Sequence, residues 1–583
     1  MARAITLGNG NMLVGLDYRG QVRDLYYPYV GQTNHVSGAS GSYVHRIGVW
    51  VDGETSWLDD GEWTITIGTD SDSVIGHVTA VNETRGVTLV TRDAVHNEHD
   101  VFLRHMVVHN DRDEEREIKV FFAQQFRIAE SRRGDTALFD PRVSAIVHYK
   151  GKDTFLINAM INDVQFTEYN IGLFGIEGKE GTWHDAFDGV LEKNPIEHGS
   201  VDSIIALSHT YAPEASADIY YWVVCADSIP KAHTLDELVI DETPERLIVS
   251  TDAYWKAWLE KDNRDMSALP AELTKLYRQS LATIRVHTDN RGGIIASSDT
   301  DMLHHGRDTY SYVWPRDGAM IARVLDKVGY QDVAERFFEF AARCQEPGGY
   351  LMHKYLTDGS LGSSWHPWLQ HGKPYLPIQE DETASILFAL WEHYEISRDL
   401  EFVETHYNSF IEPAAKFISE YIEATTGLPQ ASFDLWEEKY GTSTYTAASV
   451  YGGLMAATRF AGLLGKDNDA RTYQAIAQRL SAAIVTYLYK PELKMFVKQV
   501  FHTDDGLTYD DTLDVSSFHG IVLFGVLPVD DERIKTSLKT IEAKLAVNAE
   551  SHGFVRYERD TFYTMQEAGS PKPWVITTLW GAQ

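Results

Sequence analysis

The sequence contains little cysteine and no long apolar run. Only two cysteines occur among 583 residues, Cys225 and Cys344, and they form no metal-binding or redox motif, which excludes a disulfide framework. No stretch of about 18 apolar residues is present, so no transmembrane helix is expected. The first residues, MARAITLGNGNMLVG, lack a basic head followed by an apolar stretch. We therefore expect no signal peptide and a cytoplasmic protein.

Positive charge is also scarce, and this narrows the class of partner. The chain has 85 acidic and 52 basic residues, which give a formal net charge of -33. Nucleic acids and anionic membranes need a positively charged face, so neither is an expected partner. A neutral carbohydrate is compatible with this charge. Aromatic residues make up 12%, which suits sugar-binding clefts, although a large hydrophobic core is the simpler explanation.

Length and residue patterning predict two kinds of domain. A chain of 583 residues is too long for one compact core. Residues 1–250 alternate like strands and contain regular turn signals, which predicts an antiparallel β-sandwich. Residues 251–270 are expected to form a linker helix. Residues 271–583 contain most of about ten amphipathic stretches, which predict helical hairpins wound into a toroid. An elongated solenoid is the alternative, but no fixed-period repeat supports it.

Five loop segments in the helical half combine aromatic, charged and Gly or Pro residues. They are DTYSYVWPRDGAM, GGYLMHKYLTDGSLGSSWHPW, YLPIQEDETA, SFDLWEEKYGTS, and GFVRYERDTFY with GSPKPWVITTLW. In the first, Asp317 either caps a helix or joins Arg316 in gripping two neighbouring sugar hydroxyls. The second contains His353 without the spacing of metal ligands, so no metal site is predicted. In the third, capping by Asp381 or Glu382 explains the acidic residues as well as ligand binding does.

The segment SFDLWEEKYGTS contains a candidate proton donor. Hydrolysis of a glycosidic bond needs two carboxyls across that bond, and one of them must be protonated near neutral pH. Trp436 before Glu437 and Glu438 after it predict a raised pKa for Glu437, through desolvation and like charge. A solvated pair of glutamates is the simpler interpretation. The flanking Asp434 and Trp436, and the four other loops, favour a functional one.

Taken together, YSYVWPRDGAM, SSWHPW, DLWEEKYGTSTYT, VRYERDTFY and KPWVITTLW resemble the glucoamylase family of inverting glycoside hydrolases. The resemblance is greatest to its prokaryotic branch of glucoamylases, glucodextranases and trehalases, and it covers essentially the whole chain. It implies a β-sandwich followed by an (α/α)6 barrel. It also implies that Glu437 is the general acid, that Glu438 binds the leaving-group sugar and that Asp434 supports the acid. The other expected substrate-binding residues are Tyr310, Trp314, Arg316, Asp317, Trp436, Arg556 and Trp574.

The resemblance further implies a general base that this sequence does not display. In the family the base is a second glutamate, in a loop after the helix that begins with Pro-Trp. The sequence ends at Gln583, within or just after that helix, and about ten helices are counted where the family has twelve. We therefore expect a barrel that lacks its last two helices, with the base beyond residue 583. Glu558 and Glu567 are nearby carboxylates, but neither occupies the base position.

Three hypotheses for function follow. The first is an exo-acting inverting α-glucosidase that releases glucose from the non-reducing ends of α-glucans or malto-oligosaccharides. The second keeps this chemistry and changes the substrate to trehalose or α-1,6-linked glucan. The third is a catalytically impaired sugar-binding form, because loss of one of two essential carboxyls removes most of the rate. No cofactor is expected, and the sequence does not indicate the oligomeric state.

Overall fold

The computed structural model of the protein describes residues 3–36, 45–131, 133–261, 264–304, 306–370, 372–503, 505–547, 553–562 and 572–583. The chain forms two compact units. The first unit comprises Met1–Tyr312 with Leu356–Asp358, and the second comprises Val313–Tyr355 with Gly359–Gln583.

The first unit contains nineteen described strands and three described α-helices. The strands are β1 (Ile5–Gly8), β2 (Leu13–Leu16), β3 (Val22–Tyr29), β4 (Gln32–Asn34), β5 (His45–Val51), β6 (Glu54–Trp57), β7 (Thr64–Thr69), β8 (Gly76–Asn82), β9 (Val87–Val95), β10 (Val101–Asn110), β11 (Arg116–Gln125), β12 (Asp135–Asp140), β13 (Ala145–Lys150), β14 (Asp153–Ile161), β15 (Val164–Gln165), β16 (Glu168–Leu173), β17 (Ile196–Gly199), β18 (Val201–Tyr211) and β19 (Ser216–Ala226). The helices are α1 (Ile229–Glu242), α2 (Pro244–Glu260) and α3 (Ala271–Val286).

Two large antiparallel sheets form the body of the first unit. One has the strand order β16-β18-β11-β5-β6, and the other β17-β12-β13-β14-β19-β10-β9-β8-β7, with β15 paired to β14. Phe122 of β11 stacks on Tyr221 of β19 with 4.5 Å between ring centroids. Phe126, directly after β11, stacks on Phe155 of β14 at 4.9 Å. These contacts pack the two sheets face to face, and the predicted antiparallel sheet region is confirmed.

Helices α1 and α2 cover the outer face of the larger sheet. Val239 of α1 and Ile248 of α2 are buried in one apolar cluster with Trp222 of β19. The indole nitrogen of Trp222 donates to Oδ1 of Asp236 on α1 at 2.8 Å. Central strands of this sheet are therefore buried on both faces. This explains why apolar and polar residues do not alternate at the end of β19, where the residues are apolar in succession.

Residues 1–250 contain more than strands, because α1 lies within them. Of the linker helix expected over residues 251–270, the described part is helical only over residues 251–260, which form the C-terminal part of α2. Pro230 and Pro244 occupy the first turns of α1 and α2, where proline's fixed φ suits a helix start. The domain boundaries at residues 250 and 270 stay predictions. The chain passes from the first compact unit to the second between Tyr312 and Val313, so α3 belongs to the first unit.

The second unit is mainly helical. Its described helices are α4 (Pro315–Lys327), α5 (Gln331–Cys344), α6 (Glu380–Ser397), α7 (Leu400–His406), α8 (Glu412–Glu420), α9 (Thr444–Leu463), α10 (Asp467–Ala483), α11 (Val515–Leu523), α12 (Glu532–Leu545) and α13 (Val575–Ala582). Its described strands are β20 (Leu369–Gln370), β21 (Lys373–Pro374), β22 (Ser432–Phe433), β23 (Tyr440–Ser443), β24 (Tyr489–Lys490), β25 (Met495–Phe496), β26 (Gln499–Thr503) and β27 (Gly506–Asp510).

The helices of this unit form an inner and an outer series. The inner helices α4, α6, α9, α11 and α13 pack each against the next, while α5, α10 and α12 pack against α4, α9 and α11. Helices α6 and α9 are buried on nearly all sides, as inner helices must be, whereas the outer helix α10 is buried along one face only. The predicted helical domain is confirmed, and the two further helices expected from the sequence stay a prediction. No described helix is long and apolar enough to cross a membrane.

The α4–α5 contact requires a glycine at position 318. A Cβ built on Gly318 would lie 2.2 Å from Cε2 of Phe337, whose ring is fully buried. We expect Gly318→Ala to lower the free energy of unfolding by about 1–3 kcal/mol, because the ring has no space to move into. Gly462 of α9 is the matched control, since a Cβ added there would have nothing within 4 Å of it.

At this control position alanine stabilises the helix by roughly 0.5–1 kcal/mol relative to glycine. Gly462→Ala is therefore expected to raise the thermal midpoint of unfolding, whereas Gly318→Ala is expected to lower it. Circular dichroism melting of the two variants measures both shifts. Equal midpoints for the variants would contradict the packing argument.

Candidate active site

The five aromatic loop segments meet at one end of the inner helices. Four of the segments lead into an inner helix: α4 follows Trp314, α6 follows Gln379, α9 follows Ser443 and α13 follows Trp574. The segment that contains His353 lies between α5 and β20. The segment containing Arg556 also pairs with the start of α11, because the Val515 amide donates to the Arg556 carbonyl at 3.0 Å. The positive ends of several helix dipoles therefore face the same region, which favours carboxylates there.

A short hairpin carries the two central glutamates. Strands β22 and β23 pair, and residues 434–439 connect them. Asp434 is buried, and its Oδ1 accepts the backbone N–H groups of Glu438 at 2.8 Å and Lys439 at 3.0 Å. The Glu437 amide donates to the Asp434 carbonyl at 2.8 Å. Glu437 has a φ of 60°, a left-handed conformation uncommon for residues other than glycine, so the loop holds its backbone under strain.

Two donors hold a single oxygen of the Glu437 carboxyl. Oε1 accepts from Trp314 Nε1 at 2.6 Å and lies 2.8 Å from His353 Nε2. Within the part of the chain that the structure describes, Oε2 makes no hydrogen bond, and the side chain is 16% exposed. The carboxyl is thus fixed through one oxygen and presents the other to the outside.

The expected raised pKa of Glu437 is wrong. Burial raises this pKa, but the His353 hydrogen bond, the positive charge of Arg316 and the Trp314 hydrogen bond outweigh burial and lower it to about 2. Trp436 and Glu438 adjoin Glu437 along the chain, but the groups that lower its pKa come from other parts of the fold. His353 is 84 residues away from Glu437 in sequence. Contacts formed in the folded structure therefore determine the charge state of Glu437.

Glu438 points to a different set of partners from those of Glu437. Its Oε1 accepts from Arg556 Nη2 at 3.0 Å, and its Oε2 accepts from the Tyr557 hydroxyl at 2.6 Å. Arg556 is itself buried, bonds to Asp560 at 2.8 Å, and lies over the Trp574 ring at 4.5 Å. The structure therefore brings Arg556 and Trp574 to Glu438.

A buried lysine connects the hairpin to the next strand. Lys498 directly precedes β26, which pairs with β23. Its Nζ lies 3.5 Å from Asp434 Oδ2 and 3.3 Å from Asp514 Oδ2. Trp436 donates its indole N–H to Asp514 at 2.9 Å. Burial raises the pKa of Asp434, and the positive charge of Lys498 opposes this rise.

Arg316 is engaged with acidic residues of α6. Its Nη1 lies 2.9 Å from Asp381 and 3.1 Å from Glu382, and all three side chains are buried. Asp317 lies 3.4 Å from Arg316 Nη2 and its side chain is 48% exposed. The residue preceding α4 is Trp314, so Asp317 lies within the first turn and is not its N-cap. The N-cap of α6 is Gln379, so Asp381 and Glu382 also lie within a first turn and the predicted capping by either of them is wrong; their charges suit the helix dipole and pair with Arg316.

The remaining predicted residue, Tyr310, belongs to the first unit, and its side chain is about half exposed. Its place in a sugar pocket stays a prediction. Glu558 binds Lys544 at 3.2 Å and accepts the Leu513 amide, and Glu567 lies outside the described residues. Among the described residues there is also no group of three or more metal-ligating side chains.

Sequence reasoning missed four residues that this site contains: His353, Lys498, Asp514 and Tyr557. His353 and Tyr557 lie inside the aromatic loop segments, so their composition offered a signal. Lys498 and Asp514 stand in stretches without any such signal, and only the pairing of β26 with β23 brings Lys498 to Asp434.

Known proteins resemble this chain in sequence and in fold. The sequence model of the family described as "Glycosyl hydrolases family 15" matches residues 271–583. An uncharacterized glycosyl hydrolase of Methanocaldococcus jannaschii is 27% identical over 587 residues, which cover 98% of this chain and 86% of that protein. Trehalase 2 of Sulfolobus acidocaldarius is 24% identical over 314 residues, half of each chain. A bacterial glucoamylase complexed with acarbose superposes with a TM-score of 0.73 at 16% identity, over 98% of this chain and 82% of that one, so the fold is shared.

Asp434 offers a direct test of the hairpin. We expect Asp434→Ala to destabilise the protein by about 2–3 kcal/mol, because two backbone N–H groups lose their acceptor and Lys498 loses a buried partner. Asp434→Asn keeps an acceptor oxygen and is expected to cost less. Thermal melting followed by circular dichroism compares the two variants, and equal losses would show that the backbone hydrogen bonds contribute little.

Proposed function

The chain belongs to glycosyl hydrolases family 15, and on that premise we propose that it is an exo-acting inverting α-glucosidase. It would release glucose from the non-reducing ends of α-glucans or malto-oligosaccharides. The observation that carries the proposal is the Glu437 carboxyl, with one oxygen held by two donors and the other open. An open carboxyl oxygen beside buried aromatic and cationic groups suits proton donation to a glycosidic oxygen.

The proposed reaction begins at Oε2 of Glu437. This oxygen gives its proton to the glycosidic oxygen as the bond from that oxygen to the anomeric carbon breaks. Because the pKa of Glu437 is lowered to about 2, the fraction of chains that carry this proton rises as the pH falls, and the rate is expected to rise with it. A water molecule attacks the anomeric carbon from the opposite face, and a carboxylate base takes a proton from that water. The leaving sugar departs with a hydroxyl group. The carboxylate of Glu437 that remains is stabilised by the donors at Oε1.

We assign the base to none of the described carboxylates. Asp434 and Glu438 share the hairpin with Glu437, and neighbours on one loop do not flank a bond from opposite faces. Glu558 is bound to Lys544 and the Leu513 amide. In inverting glycosidases the two carboxyls stand ~6.5–9.5 Å apart, which leaves room for the water. The expectation of a base beyond residue 583 stays a prediction.

The remaining contacts support a division of the site into two sides. Glu438 is held by Arg556 and Tyr557 beside Trp574, and we assign this group to the leaving-group sugar and the enclosure around it. Asp317 exposes its carboxyl beside Arg316, which suits two neighbouring hydroxyls of the terminal glucose. Trp314 offers an apolar ring at the same place.

Trehalose hydrolysis is a second candidate, favoured by the similarity to the trehalase of Sulfolobus acidocaldarius over half of each chain. The proposed acid chemistry is the same for both substrates. Contacts to the leaving sugar would differ, and these come from the loops around Glu438.

Replacement of the proposed acid tests the assignment. We expect Glu437→Gln to lower kcat/KM on maltose by about 10²–10⁴-fold, because an amide has no acidic proton to donate. Glu558→Gln is the matched control, an acid-to-amide change at a nearby carboxyl, and should keep nearly full activity. A Glu437→Gln variant with near wild-type rate would remove the acid assignment.

The stereochemistry of the product tests the mechanism. Inversion at an α-linked glucose gives β-glucose first, so proton NMR of early reaction times should show the β-anomer before mutarotation. Initial α-glucose would show retention and would contradict the inverting proposal.

Parallel assays decide between the substrates. Purified protein is given maltose, isomaltose, trehalose and longer malto-oligosaccharides, and glucose release is measured. We expect the malto-oligosaccharides to have the highest kcat/KM. A clear preference for trehalose would favour the second candidate, and calorimetric binding of oligosaccharides without turnover would favour a catalytically impaired form.

A further inference from the structure

His353 is one of the two groups that contact the carboxyl of Glu437 directly. The side chain is 1% exposed, and its Nε2 lies 2.8 Å from Glu437 Oε1. Its Nδ1 lies 3.1 Å from the hydroxyl of Ser364. Both ring nitrogens therefore have partners, which fixes the orientation of the ring and aims Nε2 at one carboxyl oxygen.

Several ionisable groups surround this pair. The His366 ring stacks on His353 with 4.1 Å between centroids, and burial followed by the charge of His353 lowers the pKa of His366 to about 3. His366 is therefore neutral over most of the pH range and does not compete for Glu437. Lys354 lies over the Trp314 ring at 5.1 Å. At the start of α4, Arg316 and Asp317 place one positive and one negative charge within range of Glu437.

We propose that His353 is a positioning residue for the acid: it holds Oε1 of Glu437, makes Oε2 the oxygen that carries the transferable proton, and sets the pH at which that proton is lost. This inference rests on the proposed function only where it concerns catalysis. The contact between His353 and Glu437, and its effect on protonation, are properties of the chain itself.

The direction of the effect follows from the donors at Oε1. A hydrogen bond donated to a carboxylate stabilises the ionised form, and a positive imidazolium stabilises it further. His353 therefore makes Glu437 a stronger acid, in agreement with its pKa of about 2. Without this partner, burial acts with less opposition and the pKa must rise. An acid that must be protonated to act then remains active to higher pH.

The decisive experiment measures the protonation of Glu437 directly. The full chain is labelled with ¹³C at the glutamate carboxyl, and the Glu437 signal is identified by its loss in Glu437→Gln. In the wild type we expect this signal to remain at its carboxylate position while ordinary glutamates titrate near pH ~4.3. In His353→Gln, which keeps an N–H donor but has no titratable charge, the midpoint should rise by at least about 1 pH unit.

Two further variants separate this role from a purely structural one. Ser364→Ala leaves the His353 ring in place and removes its second partner, so a smaller shift in the same direction is expected, and it serves if His353→Gln does not fold. His198→Gln makes the same substitution at a mostly exposed site in the first unit and should leave the Glu437 midpoint unchanged. An unchanged midpoint in both His353→Gln and Ser364→Ala would overturn the proposal.

The pH profile of kcat/KM gives the catalytic readout. We expect the alkaline limb of His353→Gln to move to higher pH by the same amount as the NMR midpoint. A merely structural role would lower the rate at every pH and leave the limb in place, which would contradict the proposal. If the chain hydrolyses no glycoside, the NMR titration still decides the role of His353, so failure of the proposed function is distinguishable.

Discussion

The site depends on the buried carboxylate of Asp434. One of its oxygens accepts the two backbone N–H groups that close the hairpin, and the other faces Lys498. This arrangement bends the chain so that Glu437 adopts a left-handed conformation and the two adjacent glutamates point to different partners. Without that bend, Glu437 and Glu438 would remain a pair of like charges on an ordinary loop. Their division of roles is therefore a property of the backbone.

In the second unit, a small number of buried cations neutralises the carboxylates around the hairpin. The chain is strongly acidic, yet the carboxylates around the hairpin are each matched to a buried basic group: Lys498 for Asp434 and Asp514, Arg556 for Glu438 and Asp560. Buried ionic networks of this kind cost desolvation free energy, and the loss of one partner would leave an uncompensated buried charge. The inner helices add the positive ends of their dipoles. The open oxygen of Glu437 is exceptional among these groups because it has no partner in the described residues.

Much of the site could be recognised from composition. The combination of tryptophan, arginine, acidic residues and glycine or proline marked five loops. Four of them meet around Glu437 and Glu438, through Trp314, His353, Trp436, Arg556 and Trp574. The protonation of Glu437 could not be predicted, because the donors to Oε1 come from two other loops. Lys498 was missed for the same reason: a lysine in an apolar stretch gives no sign of the carboxylates that the pairing of β26 with β23 brings to it.

The sequence alone determined the order of a sheet region and a helical region, since side-chain periodicity follows directly from backbone geometry. It also determined which loops carry chemically capable residues. The tertiary structure decided where helices begin within the first 250 residues, which residues are brought to Glu437, and that its pKa is lowered rather than raised. The physical reason is that burial and charge act through space: the electrostatic environment of a side chain depends on atoms a few ångströms away, whatever their distance along the chain.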